Sequence, residues 1–163
     1  MRLTAFSDYS LRLLMYAAAA GDRLVTIEET CQVFKISRGH LMKVANLLTR
    51  RGFLRAVRGR SGGLTLARKP ADIRLGEVVR ATEPDFAMVE CFATGNQCII
   101  SKCCRLPNAL NEALNAFAAT LDKYTLQDLM LKPKDFAPIG RPAKAPALRG
   151  PRFERTTARR RGA

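Results

Sequence analysis

The segment Cys91-Phe92-Ala93-Thr94-Gly95-Asn96-Gln97-Cys98-Ile99-Ile100-Ser101-Lys102-Cys103-Cys104 holds four of the chain's five cysteines within fourteen residues. The glycine, asparagine and lysine between them mark a loop, not a stretch of core. In a reducing compartment, clustered thiols bind metal more often than they pair. The spacing Cys91-x6-Cys98-x5-Cys104 departs from the paired C-x2-C knuckles of structural zinc. It is nearer the loose thiolate arrangement that wraps an iron–sulfur cluster. Cys103 competes with Cys104 for the third position. Neighbours at a helix start point about 100° apart, so the two do not serve one cluster together. Cys31 lies on a separate predicted helix and reads as a small buried hydrophobe.

A second chemistry comes from charge. The formal net charge is +14 and the sequence pI about 10.4, which points to a polyanionic partner, most simply nucleic acid. From Lys132 onward ten Lys and Arg face only Asp135 and Glu154, a net of +8, which leaves +6 for residues 1–131. Ser37, Arg38, His40 and Lys43 stand at or near the start of a predicted helix, where they could reach base edges or phosphates. Arg58 and Arg60, with Ser61 and Gly62, lie in a glycine-rich turn whose backbone can approach a phosphate or a minor groove. The plain alternative is a solvated basic face. His40 is the chain's one histidine; it reads as a polar helix residue.

The elements that would carry these residues follow from pattern. Ser7-Asp8 offers N-cap chemistry for a helix over residues 7–20, with Leu3, Phe6, Leu11, Leu14 and Ala18 at helical spacing and Gly21 as its stop. The apolar run at 13–20 imitates a signal peptide, but Asp8 and Arg12 and the helical spacing make it an amphipathic helix of a cytoplasmic protein. No run reaches the roughly 18 apolar residues of a membrane span. Thr26 caps a helix to about Phe34, and Ser37 caps another to about Arg51. The pair forms a helix-turn-helix unit whose second helix would enter a DNA groove. Two short strands at 53–57 and 64–67, joined by the glycine-rich turn, form a hairpin wing. Leu75 to about Thr82 supplies a further helix. From about Arg105 to Leu121, Leu106, Leu110, Leu114, Phe117 and Leu121 form an apolar stripe, with Ala109, Ala113 and Ala116 alongside. That stripe suits a homodimer contact, because DNA readers usually need two half-sites. A short helix at 125–131 ends the patterned part.

The predicted fold class is therefore mainly α with a small β-hairpin wing: a winged helix-turn-helix at 1–84, a cluster-binding loop at 85–104, a dimerisation helix and short terminal helix at 105–131, and a disordered basic tail at 132–163.

Several motifs carry a resemblance: Leu3-Thr4-x-Phe6-Ser7-Asp8-Tyr9, Ser37-Arg38-x-His40-Leu41-Met42-Lys43, Val57-Arg58-Gly59-Arg60-Ser61-Gly62-Gly63-Leu64, Leu75-Gly76-Glu77-Val78-Val79-Arg80 and Cys104-Arg105-Leu106. Over residues 1–131 the chain resembles the iron–sulfur winged-helix regulators that include NsrR, IscR and RirA. Within that group it is similar to the NsrR type, which are nitric-oxide-sensitive repressors. The resemblance implies a cluster held by Cys91, Cys98 and Cys104 of one subunit and by Asp8 of the partner subunit, with a 4Fe–4S cluster favoured over 2Fe–2S. Cys103 is an extra thiol. An IscR-like site would want a histidine just after the third cysteine, where this chain has Arg105-Leu106-Pro107. RirA shares the neighbourhood of Phe86-Ala87-Met88 and Glu90-Cys91-Phe92 but typically lacks the Ser-Asp-Tyr signature. Read alone, Asp8 is as well explained as a helix-start acid.

The function expected is a homodimeric repressor that binds a near-palindromic double-stranded DNA operator and releases it when nitric oxide reacts with the cluster. Half-sites on one face of the duplex lie about 34–36 Å apart. One rival is an iron- or redox-responsive regulator of the same kind; another is a constitutive DNA-binding protein with structural zinc. No phosphate loop and no nucleophile–base set supports an enzyme.

Overall fold

Thr4 starts the first helix of the computed structural model, which describes residues 2–59, 61–92 and 95–136. Its hydroxyl accepts the Ser7 N–H at 3.3 Å, and α1 runs Ala5–Ala20. The Ser7-Asp8 cap expected from local chemistry is displaced by a tertiary contact. Glu83 accepts both the Thr4 N–H at 2.9 Å and the Thr4 hydroxyl at 3.1 Å. Ser7 instead turns inward, fully buried, with its hydroxyl 2.8 Å from that of Thr82. A buried hydroxyl needs such a partner, because leaving it unpaired costs about 1–3 kcal/mol.

α2 spans Ile27–Phe34, capped by Thr26, whose hydroxyl accepts the Glu29 N–H at 3.1 Å. Lys35 ends it in the left-handed conformation, φ 58°, and buried Ile36 pins the turn from below. Two residues after Lys35, Ser37 caps α3, Arg38–Arg50. The apolar side of α3, Leu41, Val44, Ala45 and Leu48, is buried at i, i+3, i+4 and i+7 spacing. It packs against Leu13, Leu14, Ala17 and Ala18 of α1, with Val25, Phe53, Leu54, Leu64, Ile73, Val78 and Leu126 completing one core.

The wing is an antiparallel pair, β1 Leu54–Val57 and β2 Gly63–Leu66, in register Leu54↔Leu66 and Val57↔Gly63. Phe53 and Ala67 lie just outside the ladder, joined by one hydrogen bond of 3.0 Å from the Ala67 N–H. Leu64 also exchanges both backbone bonds with Val25, at 2.8 and 2.9 Å, which ties the wing to the α1–α2 connection.

α4, Leu75–Thr82, returns across α1, and α5, Leu106–Lys123, is fastened to it at one end. Arg80 holds the Asp122 carboxylate through two N–H groups at 2.8 and 3.0 Å, and Arg74 donates to the Asp122 carbonyl at 2.6 Å. The Arg80 guanidinium keeps that carboxyl below its ordinary range. Gly76 permits the approach: a Cβ at this position would run into the Asp122 carboxylate. The helix expected at 125–131 is a single 3-10 turn, Leu126–Leu129, closed by a reciprocal Thr125–Asp128 cap. It drops fully buried Leu126 into the core. No residue of α5 is fully buried. Leu110, Leu114, Phe117 and Leu121 are half-covered, Leu106 is 54% exposed, and Ala109, Ala113 and Ala116 face solvent.

Gly76→Ala should push the Asp122 carboxylate off Arg80 and lower the denaturation midpoint, read by denaturant titration; an undiminished midpoint would show that the α4–α5 contact has room to spare.

Candidate functional site

The exposed side of α3 carries Arg38, Gly39, His40, Met42, Lys43, Asn46 and Arg50. Ser37 lies at its tip, with its hydroxyl 3.0 Å from His40 Nδ1, so these two side chains are held together. Arg38, Met42, Asn46 and Arg50 recur every four residues and form one solvent-facing row. Met42, 43% exposed, and Asn46 were not singled out by sequence reasoning. The i+4 spacing from Arg38 is the signal that points to them. A row of this kind offers what a major groove asks for: guanidinium groups for phosphate or guanine, an amide for adenine, and an apolar tip for a thymine methyl.

The wing places Arg58 and Ser61 in solvent at the hairpin tip, with Gly62 half-covered. Gly59 adopts φ 120° and its carbonyl accepts the Gly62 N–H at 3.0 Å. A side chain at Gly62 would meet the Val57 carbonyl, so this turn is fixed by glycine. Arg60 lies outside the described residues. α3 and β1 are joined by the short Arg51-Gly52-Phe53 link and share the core through Leu48 and Phe53, so helix and wing form one rigid unit.

The cysteine segment lies between α4 and α5. Cys91 sits in the 3-10 turn Glu90–Phe92 and is half-buried; Cys98 is exposed; Cys103 is exposed and Cys104 half-buried just before α5. Their backbone is held by local bonds. The Cys98 N–H donates to Asn96 Oδ1 at 2.9 Å, the Ser101 hydroxyl donates to the Cys98 carbonyl at 2.7 Å, and the Cys103 and Cys104 N–H groups both donate to the Ile100 carbonyl. The Gln97 N–H reaches back to Glu90 at 3.0 Å. All five cysteines are unpaired, and Cys31 is half-buried on α2 where full burial was expected. Among the described residues no three His, Cys, Asp or Glu side chains are gathered at metal-holding distance. Four unpaired thiols on one short segment, two exposed and two half-buried, are nonetheless donors of the kind an iron–sulfur cluster takes, and the Cys103 thiol donates to the Ile100 carbonyl at 3.4 Å.

Asp8 lies in the first turn of α1, where the helix dipole favours an acid, and accepts Arg12 Nε at 2.9 Å. Both side chains are 45% exposed. The carboxylate is therefore available to a group outside its own helix at small cost, since an exposed i,i+4 pair is worth only about 0.3–0.5 kcal/mol.

α2, which supports α3, is braced by a polar network at its start. Glu29 accepts from Arg23 at 2.8 Å and from the Tyr16 hydroxyl at 3.0 Å. Burial pushes the Glu29 carboxyl up, but the bonds from Arg23, Tyr16 and the Thr26 backbone outweigh it and hold the group below its ordinary value of 4.5.

The sequence profile of Rrf2, described as an iron-dependent transcriptional regulator, matches residues 3–132. The HTH-type transcriptional regulator NsrR of Bacillus subtilis is 49% identical over 137 residues, covering 83% of this chain and 94% of that protein. NsrR of Geobacillus kaustophilus is 45% identical over 132 residues, covering 80% and 90%. Among solved structures, IscR of T. potens aligns with TM-score 0.63 at 21% identity, covering 79% of this chain and 85% of that one. CymR of B. subtilis, the global cysteine regulator, aligns with TM-score 0.61 at 22% identity, covering 79% and 95%. These two show the fold. Among the described residues no helix is long and apolar enough to cross a membrane.

The lowered Glu29 pKa makes its contribution to stability complete above the unfolded-state value of 4.5 and lost as pH falls through the lower folded-state value. Glu29→Gln should cost a few tenths to about 1 kcal/mol at neutral pH, with the gap to the parent chain closing below pH 4.5 in thermal melts; a gap that stays constant with pH would remove the ion pair from the account.

Proposed function

Because the chain belongs to the Rrf2 family of transcriptional regulators, we propose that it is a homodimeric repressor that holds an iron–sulfur cluster and leaves its operator in response to nitric oxide. It is a regulator, not an enzyme. The observation that carries the reading is that one chain joins a basic helix-and-wing surface to four unpaired thiols in the segment linking α4 to α5.

Ser37, Arg38, His40 and Lys43 on α3 serve as the groove-reading set, joined by Met42 and Asn46. Arg58, Ser61 and Gly62 on the wing contact phosphate, and Arg60, outside the described residues, is assigned with them from the sequence. Cys91, Cys98 and Cys104 would hold the cluster, with Asp8 of the partner subunit as the remaining ligand and 4Fe–4S favoured over 2Fe–2S. When bound, such a cluster supplies iron that reacts with nitric oxide. The half-covered stripe of α5 serves as the homodimer contact, which sets the two reading heads for a near-palindromic site.

The coupling lies in this chain's own residues. Asp8 stands one turn from Thr4, and Thr4 and Ser7 are bonded to Glu83 and Thr82 at the root of the cysteine segment. A change in what Asp8 or the thiols hold therefore bears on the first turn of α1, the helix that packs against α3. An effector moves such an equilibrium only by its different interaction with the two states. Asp8 and the thiols, coming from different subunits, supply that difference. A second reading, iron availability as the signal, is favoured by the family's description as iron-dependent.

Protein prepared without oxygen should be brown and carry iron and sulfide; colourless, zinc-bearing protein would support a structural metal instead. Titrating nitric oxide while following the visible band and promoter binding together should show both lost in step, and bleaching with undiminished binding would sink the switch. If an iron chelator releases the promoter at lower dose than nitric oxide does, the second reading stands. Cys98→Ser should retain the helical fold by circular dichroism yet lose most iron and sulfide; a full complement would remove Cys98 from the ligand set.

A further inference from the structure

His40 is the chain's single histidine, and two separate elements meet its ring. On its own helix, Ser37 Oγ lies 3.0 Å from Nδ1. From α1, Tyr9 brings its ring centroid to 6.1 Å from that of His40, tilted by 47°, within the range over which aromatic rings attract one another. Tyr9 is half-buried and packed against the core, so it stands as a fixed wall behind an exposed imidazole.

The Ser37 contact sets the chemistry of the ring as well as its place. Ser37 Oγ caps α3 by accepting the His40 backbone N–H, which leaves the hydroxyl proton free to go to Nδ1. The reverse arrangement would aim a ring N–H at the positive end of α3, against the helix dipole. With Nδ1 accepting, the neutral ring carries its proton on Nε2. Nε2 has no hydrogen-bond partner among the described residues. No acidic residue stands between Glu29 and Asp72, a span with ten Lys and Arg, so no carboxylate of that span competes for the donor. The outer edge of His40 is thus one N–H group, oriented from two sides.

A fixed donor in the major groove selects for acceptors. Guanine offers two side by side, N7 and O6. Cytosine presents a donor, adenine sets its N6 donor next to N7, and the thymine methyl crowds O4. We propose that His40 is a specificity residue requiring guanine at one position of the site that α3 reads, and that Tyr9 is the positioning residue holding the ring in its donating pose. The assignment rests on the DNA-reading role given above to α3.

Full-length parent protein, His40→Ala, Tyr9→Leu and Tyr9→Phe are each used to select from duplexes with a randomised central sequence. The parent should favour guanine at one position to which His40→Ala is indifferent, with the other preferences kept. Cytosine placed there should weaken the parent about three- to tenfold, the worth of one hydrogen bond, and leave His40→Ala unchanged. Tyr9→Leu keeps apolar bulk against the core but no ring, so it should lose the same preference, and Tyr9→Phe should retain it. Nitrogen NMR of parent protein labelled at histidine has one imidazole to read and should find the neutral ring protonated on Nε2, whatever the folding of the variants. A proton on Nδ1 overturns the donor assignment, as does a released position that favours any base but guanine. Tyr9→Leu with the parent's preference removes Tyr9 from the account. A parent that enriches no sequence overturns this assignment together with the reading beneath it, whereas enrichment identical in the parent and His40→Ala overturns this assignment alone.

Discussion

Two buried or half-buried side-chain contacts between the start of α1 and the end of α4 hold this architecture together: the Ser7–Thr82 hydroxyl pair at 2.8 Å and the grip of Glu83 on Thr4. Without them α1 would start elsewhere, and the segment leading to the cysteines would hang from a loose helix end. With them, the carboxylate of Asp8, the base of the cysteine segment and the helix that packs behind α3 share one joint. The joint is polar, so it works only as a satisfied set, and one lost partner strands another in a low-dielectric setting.

Around that joint the molecule separates what must be rigid from what must be reachable. The groove-facing helix and the wing share Leu48, Phe53 and Leu54 in a single core, and the Val25–Leu64 bridge locks the hairpin from behind. The cysteine segment contributes nothing to that core. It keeps its shape through short local bonds from Asn96, Ser101 and the Ile100 carbonyl, with Cys98 and Cys103 exposed and Cys91 and Cys104 half-buried. Ile99, 97% exposed, is an apolar side chain that the described residues leave uncovered.

How much of this was legible in the sequence depended on the range of the forces involved. Thr26 and Ser37 announce α2 and α3 because capping acts over three residues, and α4 runs Leu75–Thr82 as its pattern predicts. The wing was readable from glycine spacing to within a residue at each strand. The start of α1 was not, because both Thr4 and Ser7-Asp8 could cap it and the choice is made by Glu83, 79 positions away. For the same reason the Val25–Leu64 bridge and the tight pass of Gly76 over Asp122 leave no local trace. On α3, Arg38, His40 and Lys43, expected near the helix start, are exposed, whereas Met42, Asn46 and Arg50, exposed on the same helix farther along, were not singled out because the reading stayed at the helix start. The crowding of the cysteines was plain from type and spacing, whereas the described residues of one chain gather no three of them with Asp8 at metal-holding distance.

α5 is fastened to its own body at Asp122, near its end, while Leu110, Leu114 and Phe117 remain half-covered and Ala109, Ala113 and Ala116 bare. On the proposed homodimer, a second copy finishes this helix and makes folding a matter of mass action: the free energy of the native state then deepens with the abundance of the chain itself. Scarce protein would be both poorly assembled and less well folded, so its half-life in the cell and its occupancy of a binding site would rise and fall together.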